Sequence, residues 1–354
     1  MPPERKRQQE PQDSAPKRLL NIRTLQHLAL RLNLPLRILE SLAEDTASHY
    51  KPLPPVPKKG GGTRTIEPPR HLLKHVQRQI HATLLARLWL PDEIHAYRPR
   101  RSVQTAIEPH LRKPFLWVAD IRNFYPSISA VRVYKMFCQL GCTPEISKLL
   151  TRLTTHRHRL PQGAPTSPTL ANLYLHFSGL ASRLSGLAKQ HGLDLTYFGD
   201  DILVSSNSPF MHLAPHLAKI IKQSGLSLHP KKTRSVAGPF DRHEALGVVM
   251  DPRSGQIDIP KSYRRKLKAL LRLCRRHGPG VLAACGITHK DPKAYLSGKI
   301  AYAVRVNPKN GILQKCLDEI DWRAASRKQT IRRIVRTQAR PWTRNFSPQD
   351  RSKE

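Results

Sequence analysis

The chain has 354 residues, 39% of them hydrophobic, which is enough to bury a core and to form one large domain or two to three subdomains. Lysine and arginine outnumber aspartate and glutamate by 61 to 25, so the net charge of +36 favours a polyanionic partner, with nucleic acid as the first candidate. No apolar run has membrane-spanning length, the N-terminus lacks a signal-peptide core, and the five cysteines form no CxxC pair. We therefore expect a cytoplasmic protein with reduced thiols and no membrane partner.

The N-terminal third predicts helices around a glycine-rich loop. Residues 1–17 are charged and rich in proline, and we expect them to form a disordered basic arm. Leucines at helical spacing predict two short helices in 18–48, and residues 71–90 place apolar side chains on one helical face. Between them, KKGGGTR (58–64) combines three glycines with cations that could close over phosphates; a solvated surface turn is the alternative.

Two later segments place carboxylates where predicted strands end. FLWVADIRNFYPSIS (115–129) begins with an apolar run that ends in Asp120, as expected of a buried central strand. TYFGDDILVS (196–205) predicts a strand, a turn and a second strand, with Asp200 and Asp201 at the tip. Gly199 supplies the small residue that a close approach of backbone and substrate needs. Carboxylates from adjacent strands are suited to hold Mg²⁺, although an isolated Asp-Asp turn is more often a solvated hairpin.

The remaining elements are mostly basic. RLPQGAPTSP (159–168) predicts a loop and then a helix that runs to about Gln190, with Ser167 as its N-cap and Pro168 as its first helical residue. A basic turn at 225–236 and a hairpin at 244–260 follow. Residues 261–277 predict a helix with an apolar stripe below a strongly cationic face, which suits contact with the phosphates of a nucleic acid. The basic tail from 322 predicts a further RNA contact or a solubilising segment.

These motifs, in this order, resemble those of bacterial reverse transcriptases of the retron type. FGDD (198–201) resembles the aromatic-x-Asp-Asp box of that family, ADIRNFYPSI its first catalytic strand, and LPQGAPTSP its substrate-binding loop. KKGGGTRTI followed by PPRHLLKHVQRQI resembles the fingers, and HAYRPRRS (95–102) resembles the segment HGF-x-x-x-x-S between fingers and palm. LSGKIAYAVRVNP (296–308) resembles the end of the thumb, so the series covers roughly residues 20–320.

The resemblance implies an α+β fold: a right-hand polymerase with fingers, a palm whose antiparallel sheet carries the catalytic aspartates, and a small helical thumb. The expected domains are N-terminal helices and fingers at 18–114, a palm with a fingers insertion at 115–258, a thumb at 259–321 and a basic tail at 322–354. The reverse transcriptase core would span about 50–258.

The resemblance also implies the roles of single residues. Asp120, Asp200 and Asp201 would be the catalytic metal ligands for two Mg²⁺ ions, with Mn²⁺ as a substitute. Tyr125 would lie under the sugar of the incoming nucleotide, where its ring excludes a 2′-hydroxyl and selects dNTPs; ordinary core packing is the alternative.

Further residues would bind the nucleotide itself. Lys59 and Arg64 would grip the triphosphate, because cations there offset the charge that builds on the leaving group. Gln162 and Gly163 would line the nucleotide pocket. Lys232 would lie near the departing pyrophosphate, either as a general acid or as a plain phosphate contact.

The function that the resemblance implies is RNA-directed DNA synthesis on a structured noncoding RNA, with a role in anti-phage defence. The partners would be that RNA, the RNA–DNA duplex, dNTPs, a separate RNase H and a defence effector protein. Three alternatives stay open: an RNA-dependent RNA polymerase, against which Tyr125 argues; a retron-like enzyme without a branched RNA–DNA product; and an RNA-binding defence scaffold with a silent palm.

Two segments depart from the retron pattern. TAIEPH (105–110) has threonine where retrons have asparagine in Asn-Ala-x-x-His, and one extra residue before His110. Ala245, Leu246 and Gly247 stand where retrons have Val-Thr-Gly. Because these segments are thought to help recognise the cognate RNA, the RNA partner stays open.

Overall fold

A computed structural model describes residues 19–57, 62–238, 241–287 and 289–323. The predicted N-terminal arm, Lys59 and nearly all of the predicted basic tail lie outside these described residues. All five cysteines are free thiols, as predicted. Within the described ranges, no helix is both long enough and apolar enough to cross a bilayer.

The described helices are α1 (Leu25–Leu32), α2 (Leu36–Glu44), α3 (His71–Gln79), α4 (Val103–Ile107), α5 (Phe124–Ser127), α6 (Ala130–Gln139), α7 (Pro144–Thr154), α8 (Ser167–Phe177), α9 (Leu180–His191), α10 (Ala214–Gln223), α11 (Lys261–His277), α12 (Val281–Ala284), α13 (Pro292–Val306) and α14 (Ile312–Asp318). The described strands are β1 (Val56–Pro57), β2 (Thr63–Arg64), β3 (Phe115–Asp120), β4 (Asp194–Phe198), β5 (Asp201–Ser206), β6 (Arg234–Ala237), β7 (His243–Ala245), β8 (Val248–Met250) and β9 (Ile257–Asp258).

The palm is a four-stranded antiparallel sheet in the order β4-β5-β3-β6. β3 lies inside the sheet because its side chains are apolar on both faces, as the continuous run in the sequence predicts. Successive side chains of a strand point to opposite faces. Trp117 and Ala119 accordingly pack into the main core, whereas Leu116 and Val118 pack into a second core.

The second core joins the palm to the thumb. It contains Leu203 of β5 together with apolar side chains of α11, α12, α13 and α14. α11 spans the predicted bounds, and it buries the apolar stripe Leu267, Leu270, Leu271 and Cys274. Its exposed side includes Lys261, Arg265, Lys268, Arg272, Arg275 and Arg276, which recur at helical spacing. The predicted cationic helix face is therefore present on the outside of the thumb.

One predicted helix is two helices in the structure. α8 ends at Phe177, Gly179 adopts a left-handed backbone conformation (φ 72°), and α9 starts at Leu180. A residue in that conformation interrupts a right-handed helix, and glycine adopts it at little cost. The predicted N-cap is also wrong: Ser167 lies inside α8, and its hydroxyl donates to the carbonyl of Pro161 at 2.7 Å.

Candidate active site

Two neighbouring palm strands bring the predicted carboxylates together. The register of β3 and β5 places Asp120 directly opposite Asp201. Asp200 lies in the turn before β5, and its carbonyl accepts a hydrogen bond from the amide of Ile121 at 2.7 Å. This bond ties the turn to the end of β3. All three carboxylates therefore lie at the same end of two neighbouring strands, although Asp120 is 80 residues before Asp200 in the chain.

The turn that carries Asp200 requires glycine for a conformational reason. Phe198 pairs with Asp201, which leaves Gly199 and Asp200 as a two-residue loop. Gly199 has a positive φ of 67° and Asp200 does not, the pattern of a type II′ turn with glycine at its first central position. A Cβ at Gly199 would meet Tyr97 only at an ordinary contact distance of 3.7 Å. The positive φ is thus a conformational reason for glycine at this position.

The three carboxylates repel one another. The pKa of Asp201 is raised to about 7 by desolvation and by the negative charges of Asp200 and Asp120. Desolvation and the charge of Asp120 also raise the pKa of Asp200, although that residue keeps contact with solvent. Like charges held this close destabilise one another unless a cation is present. The arrangement is therefore electrostatically suited to bind a cation.

A lysine from the predicted basic turn already contacts one carboxylate. The Nζ atom of Lys232 donates to Oδ2 of Asp120 at 2.5 Å, and the amide of His229 donates to the Asp120 carbonyl at 2.8 Å. Among the described residues, no three His, Cys, Asp or Glu side chains are placed to hold a metal ion as they stand. The donor set still fits a hard divalent cation, since it consists of carboxylate oxygens and Lys232 is half-exposed and able to move away.

Arg64 approaches the carboxylate turn from the fingers. It ends β2, which pairs with β1 so that Arg64 lies opposite Val56. Burial is the main cause that raises the pKa values of Asp200 and Tyr125, and the positive charge of Arg64 partly offsets both increases, as expected of a guanidinium on the side of the carboxylate turn. Lys59, predicted as its partner on the triphosphate, lies outside the described residues.

Gln162 and Gly163 join the predicted substrate loop to the fingers. The carbonyl of Gln162 accepts from the amide of Glu67 at 2.8 Å. Gly163 has a φ of 118°, and a Cβ there would lie 3.2 Å from Cγ2 of Ile66 and 3.4 Å from the backbone nitrogen of Pro68. The backbone segment that approaches Gly163 closely in this structure is therefore the fingers segment, which packs directly on the loop.

Tyr125 has a hydrogen-bond partner that the sequence motifs did not single out. Its ring is half-buried against the main core, so packing covers only part of the side chain. Its hydroxyl donates to the hydroxyl of Tyr97 at 3.0 Å. The sequence contained one signal for Tyr97: HAYRPRRS has tyrosine where the motif that it resembles has phenylalanine.

His110, from the segment that departs from the retron pattern, is buried in the palm. Its Nδ1 atom lies 2.7 Å from the Ser205 hydroxyl, and its Nε2 atom lies 2.8 Å from the Thr196 hydroxyl. It therefore links β4 to β5 through hydrogen bonds. Only 1% of its surface is exposed, so its side chain cannot contact RNA. Leu246 and Gly247, from the other departing segment, both have positive φ and form the tight turn between β7 and β8.

The fold and the site together define a right-hand polymerase, because an antiparallel palm sheet carries opposed aspartates between a fingers hairpin and a cationic thumb helix. Residues 56–268 match the family model described as "Reverse transcriptase (RNA-dependent DNA polymerase)". The chain belongs to this family, and within it the chain is of the retron type. The predicted fold class and family are thus confirmed.

Three curated relatives show the extent of the similarity. The chain is 28% identical to "Retron Mx65 reverse transcriptase" of Myxococcus xanthus over 273 residues, which is 72% of this chain and 60% of the relative. It is 33% identical to "Retron Ec86 reverse transcriptase" of Escherichia coli over 218 residues, 60% of this chain and 67% of the relative. For "Retron Mx162 reverse transcriptase" of Myxococcus xanthus the identity is 29% over 269 residues, 67% of this chain and 55% of the relative.

The chain thus spans little more than half to two thirds of the length of these relatives. Among solved structures, the foamy viral protease-reverse transcriptase in complex with RNA/DNA hybrid is 14% identical, with a TM-score of 0.40. That match covers 80% of this chain and 32% of the viral chain, and it is too weak to support conclusions about function.

Proposed function

We propose that the chain is an RNA-directed DNA polymerase that extends the 3′-hydroxyl of a primer with dNTPs. The observation that carries the proposal is the strand register that sets Asp120 opposite Asp201, with Asp200 in the adjoining turn, in a chain of the reverse transcriptase family. The primer hydroxyl is the nucleophile, so no side chain needs to attack the nucleotide. The chain's task is to align the hydroxyl with the α-phosphate and to offset charge on the phosphates.

The three aspartates would hold two Mg²⁺ ions, with Mn²⁺ as a substitute. Bound ions would supply activation of the hydroxyl and neutralisation of the leaving pyrophosphate. The raised pKa values of Asp200 and Asp201 support this proposal, because desolvation and mutual repulsion both disfavour the ionised carboxylates and a bound cation would offset both costs. Lys232, half-exposed beside Asp120, would turn its ammonium group toward the pyrophosphate, as an acid or as a phosphate contact.

The nucleotide would bind between the fingers hairpin and the palm. Arg64, and Lys59 on the preceding loop, would offset the triphosphate charge, and Gln162 with Gly163 would form the wall joined to the fingers. The ring of Tyr125 would exclude a 2′-hydroxyl and thereby select dNTPs.

The wider biological setting is also proposed. The template would be a structured noncoding RNA, with the cationic face of α11 against the RNA–DNA duplex, as the retron type of the chain supports. We extend the proposal to a cytoplasmic anti-phage role with a separate RNase H and an effector protein, and to the domain bounds given above.

Primer extension on a defined RNA template tests the core of the proposal. Wild-type protein, D200N and D201N would be given Mg²⁺ with either dNTPs or rNTPs, and D318N, which changes an exposed aspartate of the thumb, is the matched control. We expect DNA synthesis by the wild type and D318N, none by D200N or D201N, and RNA binding by all four. Preferential use of rNTPs, or full synthesis by D201N, would contradict the proposal.

A second experiment tests the retron product. The gene would be expressed with its native flanking DNA, and the nucleic acid that copurifies with the protein would be sequenced. RNA joined covalently to DNA is the expected result. Linear cDNA alone would contradict a branched product while leaving polymerase activity intact.

A further inference from the structure

Tyr97 is an exposed aromatic residue held in an unusual backbone conformation beside the carboxylate turn. Its φ is 57°, a left-handed value that non-glycine residues adopt at a cost, and 58% of its surface is exposed. Its ring lies next to the backbone of Gly199, since a Cβ there would contact ring atom Cε2 at 3.7 Å and the hydroxyl at 3.8 Å. Strain of this kind persists where the surrounding structure enforces it, often at functional sites.

The residues on either side of Tyr97 are fixed by hydrogen bonds. The buried side chain of Asn172, on α8, donates to the carbonyl of Ala96 at 2.7 Å. The guanidinium of Arg98 donates to two carbonyls earlier in the same loop, at 2.6 and 2.7 Å. On this fixed frame the ring of Tyr97 projects over the turn instead of packing into a core. These hydrogen bonds therefore fix the backbone that carries the Tyr97 hydroxyl beside the carboxylate turn.

That hydroxyl accepts a hydrogen bond from Tyr125 at 3.0 Å, across 28 residues of sequence. Tyr125 lies on α5, a helix of only four residues, so its ring has little local structure to hold it. Without the bond, the ring would be held by packing against the core, including the ring of Phe124 at 5.7 Å between centroids. The hydrogen bond between the two hydroxyls thus joins the loop before the palm to the Tyr125 ring, which would lie under the sugar of a nucleotide.

We propose that Tyr97 is a positioning residue that holds the ring of Tyr125 against the nucleotide sugar and so increases the selection of dNTPs over rNTPs. This inference rests on the proposed polymerase function. Steric exclusion depends on how little the excluding ring can yield, because a ring that moves aside no longer clashes with the 2′-hydroxyl. A hydrogen bond to a rigid neighbour restricts that displacement without touching the substrate.

Kinetic selectivity tests this role. The ratio of kcat/KM for one dNTP to kcat/KM for the matching rNTP would be measured on a single primed RNA, for wild type, Y97F, Y125F and the double variant. Since a neutral hydrogen bond contributes modestly, we expect Y97F to lower the ratio about 3- to 10-fold, mainly by improving use of the rNTP. We expect Y125F to match Y97F, and the double variant to be no worse than either, because all three lose the same bond.

Two further variants separate this role from a general effect on the protein. Y302F, which changes a tyrosine of α13 in the thumb, should leave the ratio unchanged. Y97A, which removes the ring, should lower the ratio at least as much as Y97F. An unchanged ratio in Y97F, or additive losses in the double variant, would overturn the inference while the proposed function stands. A wild type that uses rNTPs as well as dNTPs would contradict both.

Discussion

Replacement of His110 by glutamine should change how the stability of the protein depends on pH. The hydroxyl of Thr196 donates its proton to the carbonyl of Ala106 at 3.0 Å, so it can only accept from Nε2 of His110. Nδ1 must then accept from the hydroxyl of Ser205. The imidazole is therefore neutral with its proton on Nε2, and a second proton on the ring would place a positive charge in the buried interior of the palm. H110Q keeps one donor and one acceptor but cannot take up a proton.

The size of the effect follows from the burial of the ring. Desolvation lowers the pKa of His110 from 6.5 to about 3. Between these values the unfolded chain binds a proton that the folded chain does not, so stability rises with pH and is lost as pH falls below 6.5. The loss is about 1.4 kcal/mol per pH unit, or about 2 kcal/mol between pH 6.5 and 5. His95, whose pKa burial lowers to about 4, adds a loss of the same sign in both proteins.

Urea unfolding at intervals from pH 8 to 5 measures this difference. At pH 8 we expect H110Q to be less stable than the wild type by about 1–3 kcal/mol, because glutamine cannot reproduce both hydrogen bonds. That gap should shrink below pH 6.5, since only the wild type loses the His110 contribution. H191Q, which changes the exposed last residue of α9, is the control and should show a constant difference. A gap for H110Q that stays constant from pH 8 to 5 would refute the reasoning.

Two further predictions concern the loop and the thumb. G163A should lose about 1–3 kcal/mol of stability, because its φ of 118° and the 3.2 Å contact with Ile66 both exclude a methyl group. G186A lies on α9, where an added Cβ meets no atom within 4 Å, and should gain up to about 1 kcal/mol of stability. Thermal unfolding measures both variants, and equal effects would contradict this account. The double variant R265Q/K268Q should bind an RNA–DNA duplex with a weaker salt dependence: the slope of log binding constant against log salt concentration should become less negative by about 2. R275Q should change the slope by less than the value of about 1 expected for one unpaired cation, because Arg275 is already paired with Glu319 at 2.8 Å; a change of about 1 would contradict this reasoning.

Local patterns predicted much of the fold. The apolar run that ends in Asp120 has the bounds of β3, and the apolar stripe under the cationic residues has the bounds of α11. The break at Gly179 was not predicted, because glycine is tolerated inside helical patterns and its local sequence does not say which backbone conformation it takes. The N-cap at Ser167 was wrong because its hydroxyl finds a tertiary partner in the preceding loop.

The sequence by itself determined the class of the protein, because the order of short motifs, each with its own turn or strand chemistry, identified the family and pointed to three acidic residues that the fold brings together. The tertiary structure alone decided which groups meet. The Lys232 ammonium bonds to Asp120 across 112 residues, the hydroxyl of Tyr97 meets that of Tyr125, and His110 lies beneath the sheet. No local pattern specifies such contacts, since they depend on strand register and on the packing of segments that are distant in the chain.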